Sequence, residues 1–83
     1  MTGLEKRAIR SLRDVKMPEG NWHGRRAEFL YGVMALDPHR RLTAEQAGDL
    51  WYLVWRYRRQ IADCEVVMHA NEIVNGAMSL AFQ

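Results

Sequence analysis

Apolar residues recur at helical spacing in four segments of the chain, separated by short polar stretches. In the first segment, Thr2 is followed three positions later by Glu5, the spacing of a capping box that begins a helix. The apolar positions of this segment are Leu4, Ala8, Ile9 and Leu12. The pattern predicts a first helix from about 3 to 15. The next stretch, 17–21, contains a proline and a glycine and is predicted to be a loop.

A second and a third helix are predicted after this loop. The apolar positions of the second segment are Trp22, Ala27, Phe29, Leu30, Tyr31, Val33, Met34 and Leu36. They predict a helix over 22–36, which ends before Pro38 because proline lacks a backbone N–H. In the third segment, the hydroxyl of Thr43 can accept from the backbone N–H of Gln46 while the Gln46 side chain reaches back. This second capping box predicts a helix over 44–61.

The fourth segment begins at Asp63, a residue type that suits the N-cap of a helix. Its apolar stripe consists of Val66, Val67, Ala70, Ile73 and Val74. Asn75 and Gly76 suit the C-terminal end of a helix, and the pattern of 77–82 fits a continued helix, a short turn or a strand. A chain of this length supports one hydrophobic core. The predicted fold is therefore all-α, a compact bundle of about four helices forming a single domain over 1–83.

Helical phasing divides the third helix into two sides. One broad arc is predicted to be buried: Gln46, Ala47, Leu50, Leu53, Val54, Tyr57 and Ile61. The opposite side carries Tyr52, Trp55, Arg56 and Arg59, and Trp51 and Arg58 lie at the boundary. Either the fourth helix or a tail with Met78, Leu80 and Phe82 packs over this second side, or the side is a binding face. Trp, Tyr and Arg are enriched at interface hot spots, which favours a binding face.

The net charge of +2 is unevenly distributed along the chain. Residues 1–62 carry all 12 lysines and arginines against seven acids, whereas residues 63–83 carry three acids and no base. The basic part favours an anionic partner. The predicted binding residues combine the second side of the third helix with arginines from the second helix and the connection after it. They are Tyr52, Trp55, Arg56, Arg59, Arg40, Arg41, Arg25 and Arg26.

Residues that carry enzymatic or metal chemistry are sparse. Cys64 has an acid on either side, which disfavours a nucleophilic thiolate, and it is predicted to pack as a small apolar side chain. Glu65, His69 and Glu72 share one helical face and would hold a metal only with ligands from another chain; a solvated polar face is the simpler interpretation. Glycine-rich phosphate loops have no counterpart in the sequence. We therefore expect a non-enzymatic protein without a metal or cofactor.

The sequence also predicts a cytoplasmic location. Its apolar runs are shorter than the roughly 18 residues that cross a bilayer. The N-terminal segment lacks the apolar region of an export signal. A single cysteine forms no internal disulfide, which fits a reducing compartment.

One stretch of the chain, 22–61, has a distinctive series of residues. They are Trp22, Phe29, Leu30, Leu42, Thr43, Gln46, Leu50, Trp51, Val54, Tyr57, Arg58, Arg59, Gln60 and Ile61. In this order they resemble a pattern in small uncharacterised helical proteins of bacteriophages and prophages, and the resemblance covers about half of the chain. It implies a bacterial host and a neighbourhood of phage proteins that process nucleic acid, without assigning an activity.

These observations favour a small phage-type protein that binds another protein. The expected partner belongs to a host-defence or nucleic-acid-processing complex, which the chain would inhibit in the manner of an anti-CRISPR protein. The alternative is a basic accessory protein that binds DNA or RNA directly. The modest net charge and the acidic last quarter favour the protein partner. A homodimer that hides Trp55 at its own twofold interface is compatible with either function.

Overall fold

A computed structural model describes residues 1–81, with their side chains through residue 76. Its α-helices are α1 (Gly3–Leu12), α2 (Trp22–Leu36), α3 (Ala44–Arg56) and α4 (Cys64–Ala81), and a 3-10 turn, Arg58–Gln60, lies between α3 and α4. The predicted all-α bundle of about four helices is confirmed over the described residues. The predicted alternatives for 77–82 are resolved as a continued helix as far as Ala81, and Phe82 lies outside the described residues.

The central helix of the bundle is α3, which packs against the other three helices. The largest fully buried side chains are Ile9, Leu12, Leu30, Leu50, Leu53, Val54 and Val66. The predicted buried arc of α3 is confirmed at its centre, by Leu50, Leu53 and Val54. It weakens toward the ends, where Ala47 and Ile61 are half-buried. Leu50, Leu53 and Val54 make α3 the helix with the most fully buried large side chains, as a helix that packs on three neighbours should be.

Side chains of polar residues begin the first three helices. Both predicted capping boxes are present, one at Thr2 and one at Thr43, whose hydroxyl accepts from the N–H of Gln46 at 3.1 Å. The start of α2 has a cap that we did not predict: Asn21 Oδ1 accepts from the N–H of His23 at 3.0 Å. Each cap satisfies a backbone donor that the helix itself leaves unpaired.

The first helix is shorter than predicted and ends at Leu12 instead of about residue 15. The N–H of Arg13 donates to the carbonyl of Arg10 and that of Val15 to Leu12, both at 3.2 Å. Bonds to the third preceding residue tighten the last turn and end the α-helical ladder.

The third helix ends at Arg56, five residues before the predicted end, and a 3-10 turn follows. The guanidinium of Arg58 folds back and donates to the carbonyl of Trp55 at 2.9 Å, which satisfies a carbonyl that the helix end leaves free. The N–H of Tyr57 still donates to Leu53 at 3.0 Å. The chain therefore leaves the helix with Tyr57 buried and Arg58 turned back over the helix end.

The fourth helix begins as predicted and continues past the residues that suit a helix end. Asp63 Oδ1 accepts from the N–H of Val66 at 3.4 Å, an N-cap contact. Asn75 and Gly76 suit a helix end, but among the predicted alternatives for 77–82 the structure has the continued helix, as far as Ala81. Glycine at a helix end matters only when the chain turns away, and residues 77–81 include alanine, methionine and leucine, which are strong helix formers. Within the described part of the chain, each helix is too short or too polar to reach from one side of a bilayer to the other.

Candidate functional site

Three aromatic rings form a row across the junction of α2 and α3. Trp22, the first residue of α2, stacks on Tyr52 of α3 with ring centroids 5.6 Å apart and planes 25° apart. The ring of Trp55, one helical turn further along α3, lies 6.2 Å from that of Tyr52. Trp22 and Tyr52 remain 44% and 36% exposed, and Trp55 is half-buried. The row therefore presents ring faces and edges to solvent while resting on the core.

A buried pair supports this row from beneath. His23 and Tyr57 are 9% and 8% exposed, and a hydrogen bond of 2.6 Å joins His23 Nδ1 to the Tyr57 hydroxyl. The His23 ring also meets Trp22 edge-on at 4.5 Å and lies 5.9 Å from Tyr52. Buried rings in edge-to-face contact hold one another in place. The pair thus ties the start of α2 to the end of α3 at the base of the aromatic row.

Arginines surround the same end of α3. The guanidinium of Arg58 lies 4.8 Å from the centre of the Trp55 ring and that of Arg56 lies 5.7 Å from the Tyr57 ring. Cations within about 6 Å of a ring face are attracted to it. Arg56 and Arg59 are exposed, whereas Arg58 is half-buried. Arg58 therefore packs over Trp55 as part of the surface itself, and the exposed Arg56 and Arg59 can reach a ligand.

The rings and arginines enclose an open groove of about 720 Å³, which we call the aromatic–arginine groove. Its lining consists of Lys16, Pro18, Tyr52, Trp55, Arg56, Tyr57, Arg58, Arg59 and Gln60. Two hydrogen bonds close one side: the Lys16 N–H donates to Gln60 Oε1 at 2.9 Å, and Gln60 Nε2 donates to the Lys16 carbonyl at 3.2 Å. These bonds join the α1–α2 loop to the 3-10 turn along that side of the groove.

Four of the nine described residues that line the groove are cations, and none is an aspartate or glutamate. Like charges gathered in a concave surface raise the local potential and attract anions. Arginine adds planar, forked donors that suit carboxylates and phosphates. The groove is therefore suited to an anionic group that is flanked by apolar or planar atoms.

The structure brings together four of the predicted binding residues and separates the other four. Tyr52, Trp55, Arg56 and Arg59 all line the aromatic–arginine groove. Arg26 lies outside this lining and pairs with Asp49 at 3.6 Å.

The remaining predicted arginines line other parts of the surface. Arg25 borders a separate recess that also contains Glu19 and Glu28. The carbonyl of Arg40 accepts from the N-terminal ammonium at 2.6 Å, and Arg41 lies beside it in the α2–α3 connection. Sequence distance alone could not show which arginines share a surface.

The sequence drew attention to Cys64 and His69 in the fourth helix. Cys64 is exposed, so the prediction that it packs as a small apolar side chain is wrong; the thiol donates to the carbonyl of Ala62 at 3.7 Å. It lies at the first turn of α4, which projects it away from the core. The described residues contain no group of three or more potential metal ligands. His69 instead packs against the ring of Trp51, with centroids 4.5 Å apart.

The described contacts show which residues pack over the second side of α3. In the described contacts, α4 meets Trp51, which is only 4% exposed and belongs to the core. The cover over Tyr52 and Trp55 comes from Trp22 and Arg58. The side chains of Met78, Leu80 and Phe82 lie outside the described residues.

Comparison with known proteins adds no relative to this description. No protein-family model matches the chain, and no curated protein or solved structure matches it either.

Sequence reasoning missed the side of the groove that Lys16, Pro18 and Gln60 form. Lys16 lies just after the predicted first helix, Pro18 in the predicted loop and Gln60 in the predicted third helix. Their meeting depends on α3 ending early, which no local pattern signals. The sequence did contain one usable signal for Trp22: an aromatic residue at the first position of a helix that follows a Pro- and Gly-containing loop.

Proposed function

We propose that the chain is a non-enzymatic phage-type binding protein that acts on host-defence or nucleic-acid machinery, as an anti-CRISPR-type inhibitor does. The observation that carries this proposal is the aromatic–arginine groove, where four cations and three aromatic residues share one concave surface without a carboxylate. Aromatic residues and arginine are the side chains that most often dominate binding energy at protein interfaces. The proposed partner is a protein that inserts a carboxylate-bearing segment into this groove.

The distribution of charge supports a protein partner over a nucleic acid. Nucleic-acid binding draws its affinity from many phosphate contacts spread along a backbone. Here four cations gather at the C-terminal end of α3, whereas Arg26 is paired with Asp49 and Arg25 shares its recess with two glutamates. A compact anionic feature of a protein fits such a local patch better than a repeating phosphate chain.

Direct binding to DNA or RNA is the second candidate, and the aromatic row supports it. Trp22, Tyr52 and Trp55 offer ring surface next to arginines, the combination on which unpaired bases stack. This candidate predicts binding that weakens steeply as salt rises. A gel shift with single-stranded DNA and RNA that shows no complex at low salt would remove it.

A pull-down from a bacterial lysate tests the proposed function. The tagged chain is compared with the Arg56→Ala/Arg59→Ala double variant and with Arg10→Ala/Arg13→Ala, which removes the same charge from exposed positions at the C-terminal end of α1. We avoid Trp55→Ala as the principal variant because Trp55 packs against the core. Each capture is repeated after nuclease treatment and analysed by mass spectrometry.

We expect a protein that the native chain and the α1 variant capture and the groove variant loses, with or without nuclease. Capture that disappears with nuclease would favour the second candidate. Equal capture by all three chains would contradict a role for the groove.

A further inference from the structure

The outward face of α4 carries an exposed methionine between two glutamates. Glu65, Met68 and Glu72 lie within an arc of about 60° along about 10 Å of the helix, because three and four residues are both close to one turn. Met68 is 61% exposed, the side chain of Glu65 is 74% exposed and Glu72 is also exposed. A large apolar side chain thus stands in water between two acids, and we call these three residues the acidic α4 face.

The fold uses the opposite side of α4. Val66 and Ala70 are fully buried there against the bundle. Glu65 approaches Arg7 at 3.4 Å, a longer contact than the 2.7 Å bond between Arg7 and Asp63. The bundle therefore leaves both carboxylates of the acidic α4 face, and the thioether between them, accessible to another molecule.

The aromatic–arginine groove has the complementary arrangement. Its apolar lining consists of Pro18, Tyr52, Trp55 and Tyr57. Its four cations lie beside these residues, and its described lining contains no aspartate or glutamate. Methionine makes favourable contacts with the edges of aromatic rings, and arginine binds carboxylates through paired donors. A helix with one apolar side chain between two acids therefore matches the groove in both polarity and charge.

The uneven charge of the chain makes a second copy the occupant that the molecule itself supplies. Residues 1–62 carry 12 bases against seven acids, whereas residues 63–83 carry three acids and no base. Surfaces of opposite charge steer molecules together in a fixed orientation, and an amphipathic helix in a groove is a recurring mode of protein recognition. We propose that the acidic α4 face of one copy occupies the aromatic–arginine groove of a second copy.

The contact joins two different surfaces, so it differs from a dimer in which Trp55 faces its own counterpart. Each copy has one groove and one acidic α4 face. In a heterologous contact of this kind, a copy that has lost its groove still offers its α4 face to another copy. A defect in one surface is therefore complemented by a copy that has a defect only in the other.

The small size of the groove, about 720 Å³, and its charges set the strength of the contact. Contacts that bury less than about 1,200 Å² in total are typical of transient complexes, and salt screens exposed charges beyond about 8 Å at physiological ionic strength. Association is expected at about 0.1–1 mM, so that the groove is open to another protein at lower concentrations. Loss of partner capture would therefore leave this proposal standing, and a monomeric chain would leave partner capture standing.

Analytical ultracentrifugation at about 20 mM and about 500 mM salt tests the association. The native chain should associate at low salt, and high salt should raise the Kd about tenfold or more. Arg56→Ala/Arg59→Ala should weaken association about tenfold or more, although it lowers the net charge and with it the repulsion between copies. Arg10→Ala/Arg13→Ala has the same net charge and should associate at least as tightly as the native chain. A native chain that stays monomeric at low salt, or two double variants that behave alike, overturns the proposal.

A mixture of two variants tests whether the contact joins two different surfaces. Glu72→Lys changes the acidic α4 face and leaves the groove intact, and Arg56→Ala/Arg59→Ala does the reverse. Each alone should stay monomeric, and the mixture should form a one-to-one complex. Net attraction does not explain such a complex, because the groove variant removes two positive charges from a chain whose net charge is +2. A mixture that stays monomeric where the native chain associates overturns the proposal.

Cysteine crosslinking tests the position of the contact. In a Cys64→Ser background, which removes the exposed native thiol, Met68→Cys on one copy should form a disulfide with Pro18→Cys on another under mild oxidation. Pro18 lies in the groove, and its replacement leaves the four cations in place. Arg10→Cys, at an exposed position of α1, is the control and should crosslink to Met68→Cys about tenfold more slowly. Equal rates for the two mixtures would place α4 outside the groove and overturn the proposal.

Discussion

One hydroxyl group joins the two helices under the aromatic–arginine groove. Tyr57 lies at the residue where α3 ends and His23 at the second residue of α2, 34 positions apart in sequence. Both side chains are buried, so neither the ring nitrogen nor the hydroxyl can readily turn to water for a partner. Buried polar atoms that lose a partner cost more than an ordinary hydrogen bond contributes.

Tyr57→Phe should therefore lower the free energy of unfolding by about 1–3 kcal/mol. The physical reason is that His23 Nδ1 stays buried without its 2.6 Å partner. Urea unfolding at neutral pH measures the change. Tyr31→Phe is the matched control, and it should stay within about 0.5 kcal/mol of the native chain.

The control removes the same atom from a half-buried ring whose hydroxyl makes no hydrogen bond to the described residues. Burial raises the pKa of Tyr31 to about 12, so its hydroxyl stays protonated during the measurement. Equal losses in Tyr57→Phe and Tyr31→Phe would show that the His23 contact contributes nothing particular.

At the scale of single elements, the sequence predicted where helices begin better than where they end. Both capping boxes and the start of α4 are short local patterns, and each is present. The ends of α1 and α3 come earlier than predicted, because each helix gives way to bonds to the third preceding residue. Arg58 folds back on Trp55 to close α3, and Gly76 lies inside α4, which continues to Ala81. Residues that allow a stop do not by themselves require one.

Glycine substitutions distinguish a glycine inside a helix from a glycine that a turn requires. Gly76→Ala should raise the free energy of unfolding by about 0.5–1 kcal/mol, because alanine favours a helix interior and its Cβ meets open space. Gly20→Ala should lower it by about 1–2 kcal/mol, because Gly20 has a φ of +86° that an L side chain resists. Thermal and urea unfolding check both. A loss in Gly76→Ala would contradict a helix interior at this position.

An ion pair between α1 and the start of α4 gives stability that depends on pH. The guanidinium of Arg7 donates to Asp63 Oδ1 at 2.7 Å and to Oδ2 at 3.0 Å. These hydrogen bonds lower the pKa of Asp63, although partial burial opposes the shift. A carboxylate whose pKa is lowered by folding stabilises the protein above its unfolded pKa, and that stability disappears as the pH falls through the folded pKa.

The Asp63→Asn variant should therefore have a lower free energy of unfolding than the native chain at pH 7. This difference in the free energy of unfolding should close below roughly pH 4. Asparagine can still cap α4, so the substitution isolates the ion pair. Urea unfolding across this pH range measures the gap. Glu65→Gln is the control, since Glu65 is 74% exposed and meets Arg7 at 3.4 Å, and it should show a smaller gap. A gap for Asp63→Asn that does not change with pH would contradict the pairing.

At the scale of the whole molecule, a bundle of short helices places distant residues on one surface. The fold class and the central buried arc followed from apolar spacing, because that spacing determines which side of a helix faces the core. The site was only half predicted. Tyr52 and Trp55 share a helix side that phasing reveals, but Lys16 reaches the same groove only through packing, as Trp22 reaches Tyr52. Arg25 and Arg40 were grouped with them by charge alone, and the charge of a residue does not show where the fold places it.

The central claim is that the aromatic–arginine groove binds a protein partner. The most direct measurement is the affinity of the captured partner for the native chain, for Arg59→Ala and for Arg10→Ala, with circular dichroism confirming that each is folded. Arg59 is exposed in the groove and Arg10 is exposed on α1, so the two variants lose the same charge in different places. We predict that Arg59→Ala raises the Kd by about tenfold or more, as expected for a hot-spot arginine, while Arg10→Ala stays within about twofold. Equal effects of the two substitutions, or none from Arg59→Ala, would contradict the claim.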